Sequence, residues 1–268
     1  PLPGETLTIR YDPTGTPLER EASFEAAAFL FDFEQNDQPI ALDLPLVLEN
    51  GIYTGLLKTT KTSKALLFSF YNLDSEKIDA NDGKGYKTIF YQNDRSTPVA
   101  EAHAAKAILI GSFGSRAEVK TDHEKALALM KREFEAHPAS KQKAQFFNYY
   151  ASWGNRLKDE AVLAEAKARI AELTSGKKVM EKNLTDAIDL AYFMRDRGRA
   201  EEIEALRKKQ FPKGKAALND LSKSFNESKE LAERAAIFET IKKNHGPDKD
   251  AQTMLGRFAG TLANMYAK

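Results

Sequence analysis

Residues 86–110 have the sequence YKTIFYQNDRSTPVAEAHAAKAILI, and the change of character within this stretch decides the fold class. Its first six residues are mostly aromatic or β-branched, which favours a strand. From residue 99 onward alanine dominates, which favours a helix. Pro98 lies between the two segments, so the stretch predicts that the chain passes here from strands to helices.

The composition on the two sides of Pro98 changes in the same direction. Residues 1–98 contain seven of the ten prolines and seven alanines, whereas residues 99–268 contain thirty alanines. The net charge is −6 in the first part and +7 in the second. The sequence therefore predicts a two-domain α+β chain, with a β domain over 1–98 and an all-α domain over 99–268.

Period-two alternation of apolar residues recurs in the first part and predicts strands whose alternate side chains line a core. The longest alternation runs from Ile40 to Leu48, and Pro45 on its opposite face suggests an edge strand or a bulge. Turn sequences, including the one at 36–39, separate the strands. Six or seven short strands of this kind are typical of an antiparallel, immunoglobulin-like β-sandwich. The other predicted strands cover 6–11, 29–34, 52–57, 64–71 and 86–91.

Helical patterns fill the second part. Thr121 has the position of a capping-box residue and Thr185 is predicted to begin another helix, while Gly176 and Gly198 are predicted to end theirs. The predicted helices cover about 99–110, 121–136, 139–156, 158–174, 184–197, 199–211, 215–225, 228–244 and 248–267.

Helix breakers recur in the second part at a nearly constant interval. Pro138, Gly176, Pro212 and Pro247 are 38, 36 and 35 residues apart. Each interval has room for two helices and a turn, close to the tetratricopeptide period of about 34 residues. The spacing predicts stacked, tetratricopeptide-like helical hairpins, and chance spacing of the four breakers is the alternative.

Oxygen-bearing side chains cluster between residues 74 and 82. The segment from Asp79 to Gly83 resembles the start of a calcium loop, but an EF-hand loop beginning at Asp79 would need glycine where Lys84 stands and glutamate where Phe90 stands. A solvated acidic hairpin loop is the simpler interpretation, and calcium binding is left open. The cluster contains Asp74, Glu76, Asp79, Asn81 and Asp82.

The four histidines, His103, His123, His137 and His245, show no metal-ligand spacing. We expect them to cap helices or to lie on solvated surface. The glycine-serine segment 111–115 matches neither a phosphate-binding loop nor a dinucleotide fingerprint, and a linker between helices is expected there.

A dense aromatic group covers 146–153. Phe146, Tyr149, Tyr150 and Trp153 share one helix face, which favours a core position, whereas Phe147 falls off that face and is a candidate for exposure. A second apolar helix face is predicted around 188–193.

Charge and composition exclude several classes of function. Forty basic and thirty-nine acidic residues argue against a dedicated nucleic-acid-binding protein. The basic excess of the second part is interspersed with acids, in pairs such as Lys177-Lys178, as on a solvated helical surface. The absence of cysteine excludes disulfides, thiolate metal sites and cysteine nucleophiles in this chain, and no apolar run approaches the roughly 18 residues of a membrane span.

Two motifs of the first part resemble a known family. The segment from Gly4 to Leu18, GETLTIRYDPTGTPL, resembles the start of Bacteroidetes-type extracytoplasmic thioredoxin-like proteins, and the segment from Asp79 to Tyr86, DANDGKGY, resembles their acidic loop followed by Gly-Tyr. The resemblance implies a signal peptide, a β-sandwich, a helical region and then a thioredoxin domain with a Cys-x-x-Cys pair.

This chain contains no such pair, so the catalytic residues of that family have no counterpart in it. The resemblance therefore implies the non-catalytic N-terminal region of an extracytoplasmic thiol-disulfide oxidoreductase, which binds or positions a protein partner or the downstream thioredoxin domain. The absence of an initiator methionine fits a processed or trimmed chain. An independent ligand-binding protein, for calcium or a glycan, is the alternative. On the sequence alone no catalytic, cofactor-binding or metal-binding residue is assigned, and no cofactor is expected.

Overall fold

The computed structural model describes residues 1–35, 38–74, 76–176 and 179–267. Asn36 and Asp37 of one predicted turn, and the Lys177-Lys178 pair, lie outside the described residues. The predicted α+β class is confirmed, because antiparallel sheets are followed by helices along the chain.

Strands occupy the first part of the chain. They are β1 (Thr6–Tyr11), β2 (Glu25–Phe31), β3 (Ile40–Asp43), β4 (Val47–Glu49), β5 (Ile52–Lys58), β6 (Ala65–Asn72), β7 (Lys77–Asp79) and β8 (Tyr86–Ile89). β7 was not predicted from the sequence.

Helices occupy the second part, and each described helix overlaps one predicted segment. They are α1 (Ala102–Ile108), α2 (His123–Ala136), α3 (Ala144–Leu157), α4 (Glu160–Thr174), α5 (Glu181–Phe193), α6 (Arg197–Gln210), α7 (Lys215–Glu227), α8 (Leu231–His245) and α9 (Lys249–Tyr266). No helix in the described ranges is long and apolar enough to cross a membrane.

The strands form two antiparallel sheets. The first sheet has the order β1-β5-β4. The second has the order β3-β2-β6, with β7 and β8 both paired along the other edge of β6. Leu30 of β2 faces Leu66 of β6 in this register, and Phe68 of β6 faces Tyr86 of β8.

The longest predicted strand is divided between the two sheets. β3 pairs with β2, whereas β4 pairs with β5. The chain passes from the second sheet to the first at Pro45. The Pro45 carbonyl oxygen lies close to Gly55 of β5, because a Cβ on Gly55 would be only 2.9 Å from it. The prediction of a single strand over 40–48 was therefore wrong, because alternation continues through the crossover.

Side chains of both sheets form one core. Tyr11 and Leu57 of the first sheet join Leu30, Leu66 and Phe70 of the second in a single buried cluster. The rings of Tyr11 and Phe70 stack with their centroids 3.8 Å apart.

The second sheet is covered on its other face as well. Phe29 and Phe31 of β2 make edge contacts with Phe113, with ring centroids 5.3 and 5.6 Å apart. Burial on both faces explains why β2 and β6 are apolar almost throughout.

Helix caps differ from the prediction at three places. Asp122, not Thr121, caps α2 by accepting a hydrogen bond from the Lys125 amide at 2.9 Å. Thr185 lies inside α5, which begins four residues earlier. Gly198 lies in the first turn of α6, and a left-handed Arg195 (φ 59°) follows the end of α5 instead.

All four predicted breakers lie in connections between helices. Pro138 opens a 3-10 turn between α2 and α3, and Gly176 follows α4 with a positive φ of 128°. Pro212 separates α6 from α7, and Pro247 separates α8 from α9. Each interval between breakers therefore contains two helices, as predicted.

The chain divides into two compact units, Pro1–Lys167 and Ala168–Lys268. The first unit contains the strands and α1 to α3, and the second contains α5 to α9. The change from strand to helix falls beside Pro98, as predicted, but the boundary between the compact units lies within α4. The division into domains at residue 98 stays a prediction.

Candidate functional site

The carboxylate of Asp79 brings together two segments that are distant in sequence. Tyr11, at the end of β1, donates its hydroxyl to Asp79 Oδ2 at 2.7 Å. Tyr86, at the start of β8, donates its hydroxyl to the same oxygen at 2.8 Å. The amide of Asn81 donates to Oδ1 at 2.9 Å. Asp79 is thus the acceptor that links β1, β7 and β8.

The two phenols remain donors over a wide pH range. Burial and the neighbouring Asp79 carboxylate raise the pKa of Tyr86 to about 12. Burial raises the pKa of Tyr11 further, and the hydrogen bond to Asp79 acts in the same direction. Because Asp79 and Tyr11 are each 3% exposed, water does not compete for these bonds.

The loop after Asp79 is a tight left-handed turn. Asn81, Asp82 and Gly83 all have positive φ, at 51°, 55° and 78°. The amides of Gly83 and Gly85 donate to the Ala80 carbonyl at 3.0 and 2.8 Å. Asparagine, aspartate and glycine tolerate this conformation best, which accounts for the local sequence.

A cleft of about 500 Å³ opens beside this turn, and we call it the Asp79 cleft. One wall comes from the turn that follows β1 and the other from the acidic loop. Its lining residues are Gly15, Thr16, Pro17, Ile78, Asp79, Ala80, Asn81, Asp82, Gly83, Tyr86, Glu118 and Lys120.

The groups available in the Asp79 cleft are suited to hydrogen bonding. Asp82 and Glu118 supply carboxylates, Asn81 supplies an amide and Lys120 supplies an ammonium. The Asp79 carboxylate already accepts three hydrogen bonds, so its role is to hold the loop. The cleft is therefore equipped to bind a polar surface or ligand.

The acidic segment contains a short strand, so the interpretation as one long hairpin loop was wrong. β7 pairs Asp79 with Phe70 of β6, and the Asp79 side chain is buried. Within the described ranges, no group of three or more histidine, aspartate or glutamate residues could hold a metal ion. Calcium binding by this loop consequently gains no support from the geometry.

A second buried carboxylate has a structural role. Glu133 of α2 is fully buried and accepts hydrogen bonds from the amides of Glu101 and His103, at 2.7 and 3.2 Å, and from the Ser140 hydroxyl at 2.8 Å. Glu101 precedes α1 with a left-handed φ of 73°, and its own carboxylate pairs with Lys143. Glu133 thus satisfies the amide of His103 in the first turn of α1 and the amide of Glu101 directly before the helix.

The histidines divide into two groups. His103 and His245 are 7% and 6% exposed, so neither lies on solvated surface. His245 is the last residue of α8 and therefore lies at a helix end as predicted, whereas His103 lies inside α1. His103 Nδ1 and His245 Nε2 have no hydrogen-bond partner among the described residues. Burial and Arg132 lower the pKa of His103, while Glu133 acts in the opposite direction. His123 and His137 are half-buried.

The aromatic group is part of the core. Phe146, Tyr150 and Trp153 are buried as predicted, whereas Tyr149, predicted on the same face, is only half-buried. Phe147 is also buried, so its predicted exposure was wrong. The second predicted apolar face was wrong at Tyr192 and Phe193, which are 49% and 38% exposed.

The prediction of a linker at Gly111 was wrong. Gly111 belongs to a π-helical turn, Leu109–Phe113, that continues α1. A Cβ at this position would stand 2.6 Å from the ring of Trp153. The helix and the indole can therefore approach each other closely only because residue 111 has no side chain.

Sequence reasoning singled out Asp79 and Tyr86 but assigned no role to Tyr11 or Glu133. The signal for Tyr11 was its place within one of the two family-like motifs. No sequence pattern distinguished Glu133, because it belongs to a run of charged residues that is typical of an exposed helix face.

Comparisons with known proteins identify no relative. No family model matches the chain, and no curated protein and no solved structure matches it.

Proposed function

We propose that this chain is the non-catalytic binding and positioning region of an extracytoplasmic thiol-disulfide oxidoreductase whose thioredoxin domain follows Lys268. Its partner is that thioredoxin domain or a protein presented to it. The Asp79 cleft is the proposed contact site.

The observation that carries the proposal is the meeting of the two family-like motifs. They are 61 residues apart in sequence, yet Tyr11 of the first and Tyr86 of the second donate to the same oxygen of Asp79. Residues 15–17 of the first motif and 79–83 of the second line the same cleft. The two motifs that carry the family resemblance therefore lie at one place on the surface.

The architecture that we propose has an immunoglobulin-like sandwich and tetratricopeptide-like hairpins. The shared core of the two sheets supports the sandwich. The breaker spacing and the packing of α5 against α6 and of α7 against α8 support the hairpins. Both scaffolds commonly bind other proteins, although the fold alone never identifies a function.

The exposed groups of the cleft suit a polar partner surface. The side chain of Asp82, which lines the cleft, is 90% exposed. Lys84 Nζ, which does not line this cleft, lies 4.0 Å from the Asp82 carboxylate, so that carboxylate is open to other contacts. Exposed charges of this kind affect association rate and orientation more than affinity.

The first test is to sequence the reading frame beyond Lys268. The proposal predicts a thioredoxin domain with Cys-x-x-Cys. A stop codon directly after Lys268 would contradict it and would favour the independent ligand-binding protein.

The second test measures binding directly. The 15N-labelled chain of 268 residues is titrated with the downstream domain, expressed separately, and amide shifts are followed by NMR. We expect saturable shifts at residues 15–17 and 79–83, and we expect Asp82→Lys to weaken the complex about fivefold through charge repulsion.

Glu227→Lys in α7 is the matched charge reversal, because this side chain is also exposed and lies in the other compact unit. It should leave the affinity unchanged. Absence of shifts at the Asp79 cleft, or equal weakening by the two variants, would contradict the proposed contact site.

A further inference from the structure

A second cleft, of about 580 Å³, lies on the first compact unit, and we call it the lysine cleft. Lys84, Lys87, Lys120 and Lys125 line it, together with His123 of the first turn of α2. It shares Asp82, Gly83 and Lys120 with the Asp79 cleft, so the two openings lie side by side.

Three of these ammonium groups lack an anionic partner. Among the described residues, Lys87, Lys120 and Lys125 take part in no ion pair. Lys84 has only a 4.0 Å contact with Asp82, and both of these side chains are largely exposed. What distinguishes these lysines from other surface cations is that they converge in one concave site.

Among the described residues, the acidic residues that line the cleft form no ion pair with these three lysines. The Asp122 carboxylate caps α2 by accepting a hydrogen bond from the backbone amide of Lys125. Asp82 and Glu124 are exposed and contact none of the three unpaired lysines closely enough for an ion pair.

Lys87 is the least solvated of these lysines. It projects from β8, is half-buried, and donates from Nζ to the carbonyl oxygen of Lys84. Burial lowers the pKa of Lys87, and the neighbouring positive charges of Lys125 and Lys106 lower it further. The unfavourable interaction among these charges would be relieved by a bound anion.

We propose that the lysine cleft binds a small dianionic oxyanion, a phosphate or sulfate group, with Lys87, Lys120 and Lys125 as its charged ligands. A dianion offsets two of the three positive charges, and a lysine ammonium is an effective partner for phosphate. The cleft is larger than one phosphate ion, so it has room for the remainder of a small phosphate ester. Phosphate binding here does not depend on the proposed function, although Lys120 lines both clefts.

The test uses the intact chain and lysine side-chain NMR. Inorganic phosphate is titrated at constant ionic strength, with potassium chloride as the compensating salt. We expect saturable shifts at the lysine Cε resonances of residues 87, 120 and 125, and a rise in the pKa of Lys87 on binding. Glycerol 3-phosphate, titrated in the same way, distinguishes an ester from free phosphate as the preferred ligand, and saturation by either supports the site.

Two substitutions and a control complete the experiment. Lys87→Gln and Lys125→Gln should each weaken phosphate binding about tenfold, in line with the loss of one charge-assisted hydrogen bond. Lys223→Gln in α7, whose side chain is 74% exposed, should leave it unchanged. Shifts that do not saturate, or that chloride reproduces, would overturn the proposal, as would variants at 87 and 125 that bind phosphate like the unaltered chain.

Discussion

Individual buried carboxylates organise the first compact unit. Asp79 accepts hydrogen bonds from two phenol hydroxyls and an amide. Glu133 accepts hydrogen bonds from two amides and a hydroxyl. The fully buried Asp32 accepts hydrogen bonds from the hydroxyls of Thr60 and Thr62 at 2.5 and 2.7 Å. A buried carboxylate is tolerated only with several donors around it. The partners come from distant segments, so local sequence patterns do not identify these residues.

Removing the Asp79 carboxylate should destabilise the fold. Asp79→Ala leaves the buried Tyr11 hydroxyl without one of its partners and the Tyr86 hydroxyl without its acceptor. We expect a loss of about 3 kcal/mol in the free energy of unfolding, because unsatisfied buried donors cost about 1–3 kcal/mol each. Urea denaturation followed by the fluorescence of Trp153 measures it.

A double-mutant cycle separates the Asp79–Tyr86 bond from general loss of packing. Tyr86→Phe removes one donor and should cost about 1 kcal/mol. In the Asp79→Ala background the same change should cost much less, since the bond is already lost. Fully additive effects would show that the two groups are not coupled.

Stability should fall on acidification because of His103. Its pKa is lowered in the folded chain, so near pH 6 the unfolded chain binds more protons than the folded chain does. This contribution is complete above the unfolded pKa of about 6.5 and is lost as the pH falls toward the folded value. His123, whose pKa is also lowered by burial, acts with the same sign.

The measurement is the free energy of unfolding between pH 8 and pH 5. A single such histidine contributes a slope of at most about 1.4 kcal/mol per pH unit, and His103→Gln should reduce the slope. At pH 8 the substitution reports packing alone, because the imidazole is neutral in both states. An unchanged slope would contradict the assignment to His103.

At the level of elements, helices were predicted more accurately than strands. Helix connections contain Pro138, Gly176, Pro212 and Pro247, and such breakers mark an end whatever the tertiary packing is. Alternation along a strand shows which residues share a face, but it does not show which sheet the strand joins. For that reason the 40–48 segment, split between sheets at Pro45, could not be predicted correctly.

Caps required information that the sequence pattern does not contain. The adjacent side chains of Thr121 and Asp122 can both accept a hydrogen bond from a helix amide, and only the backbone geometry selects Asp122 as the cap. The start of α1 depends on Glu133, a residue of another helix. Burial of Phe147 likewise follows from neighbours that a helical wheel omits.

A pair of helical glycines should respond oppositely to alanine. Gly111→Ala places a Cβ 2.6 Å from the Trp153 ring and 2.7 Å from the Ala126 Cβ, so we expect a loss of about 1–3 kcal/mol from overpacking. Gly256→Ala in α9 meets nothing within 4 Å and should add about 0.5–1 kcal/mol through helix propensity. Urea denaturation measures both, and loss of stability in both variants would contradict the steric explanation for residue 111.

At the level of the whole molecule, composition predicted the type of element but not which elements share a core. The sequence changes character at Pro98, yet the first compact unit continues to Lys167. Phe31 contacts Phe113, and Phe33 contacts Phe146 of α3 with ring centroids 4.9 Å apart. Such contacts between β and α segments cannot be inferred from local composition.

Two truncations test this organisation. Residues 1–98 alone would expose Phe31 and the helix-facing side of β6, so we expect a poorly dispersed NMR spectrum and aggregation. Residues 1–176, which retain the whole of α4, should give a dispersed spectrum and cooperative thermal unfolding. A well-folded 1–98 segment would instead support the domain boundary predicted at residue 98.

The Glu133 cap also has a consequence for the order in which the chain folds. α1 has seven residues, and a helix of this length is not stable by itself. The amide of His103 in its first turn and the amide of Glu101 just before it find their acceptor about 30 residues later in α2, so the start of α1 can be completed only after α2 has docked. We therefore expect the amides of Glu101 and His103 to exchange with solvent deuterium in the same cooperative step as the amides of α2.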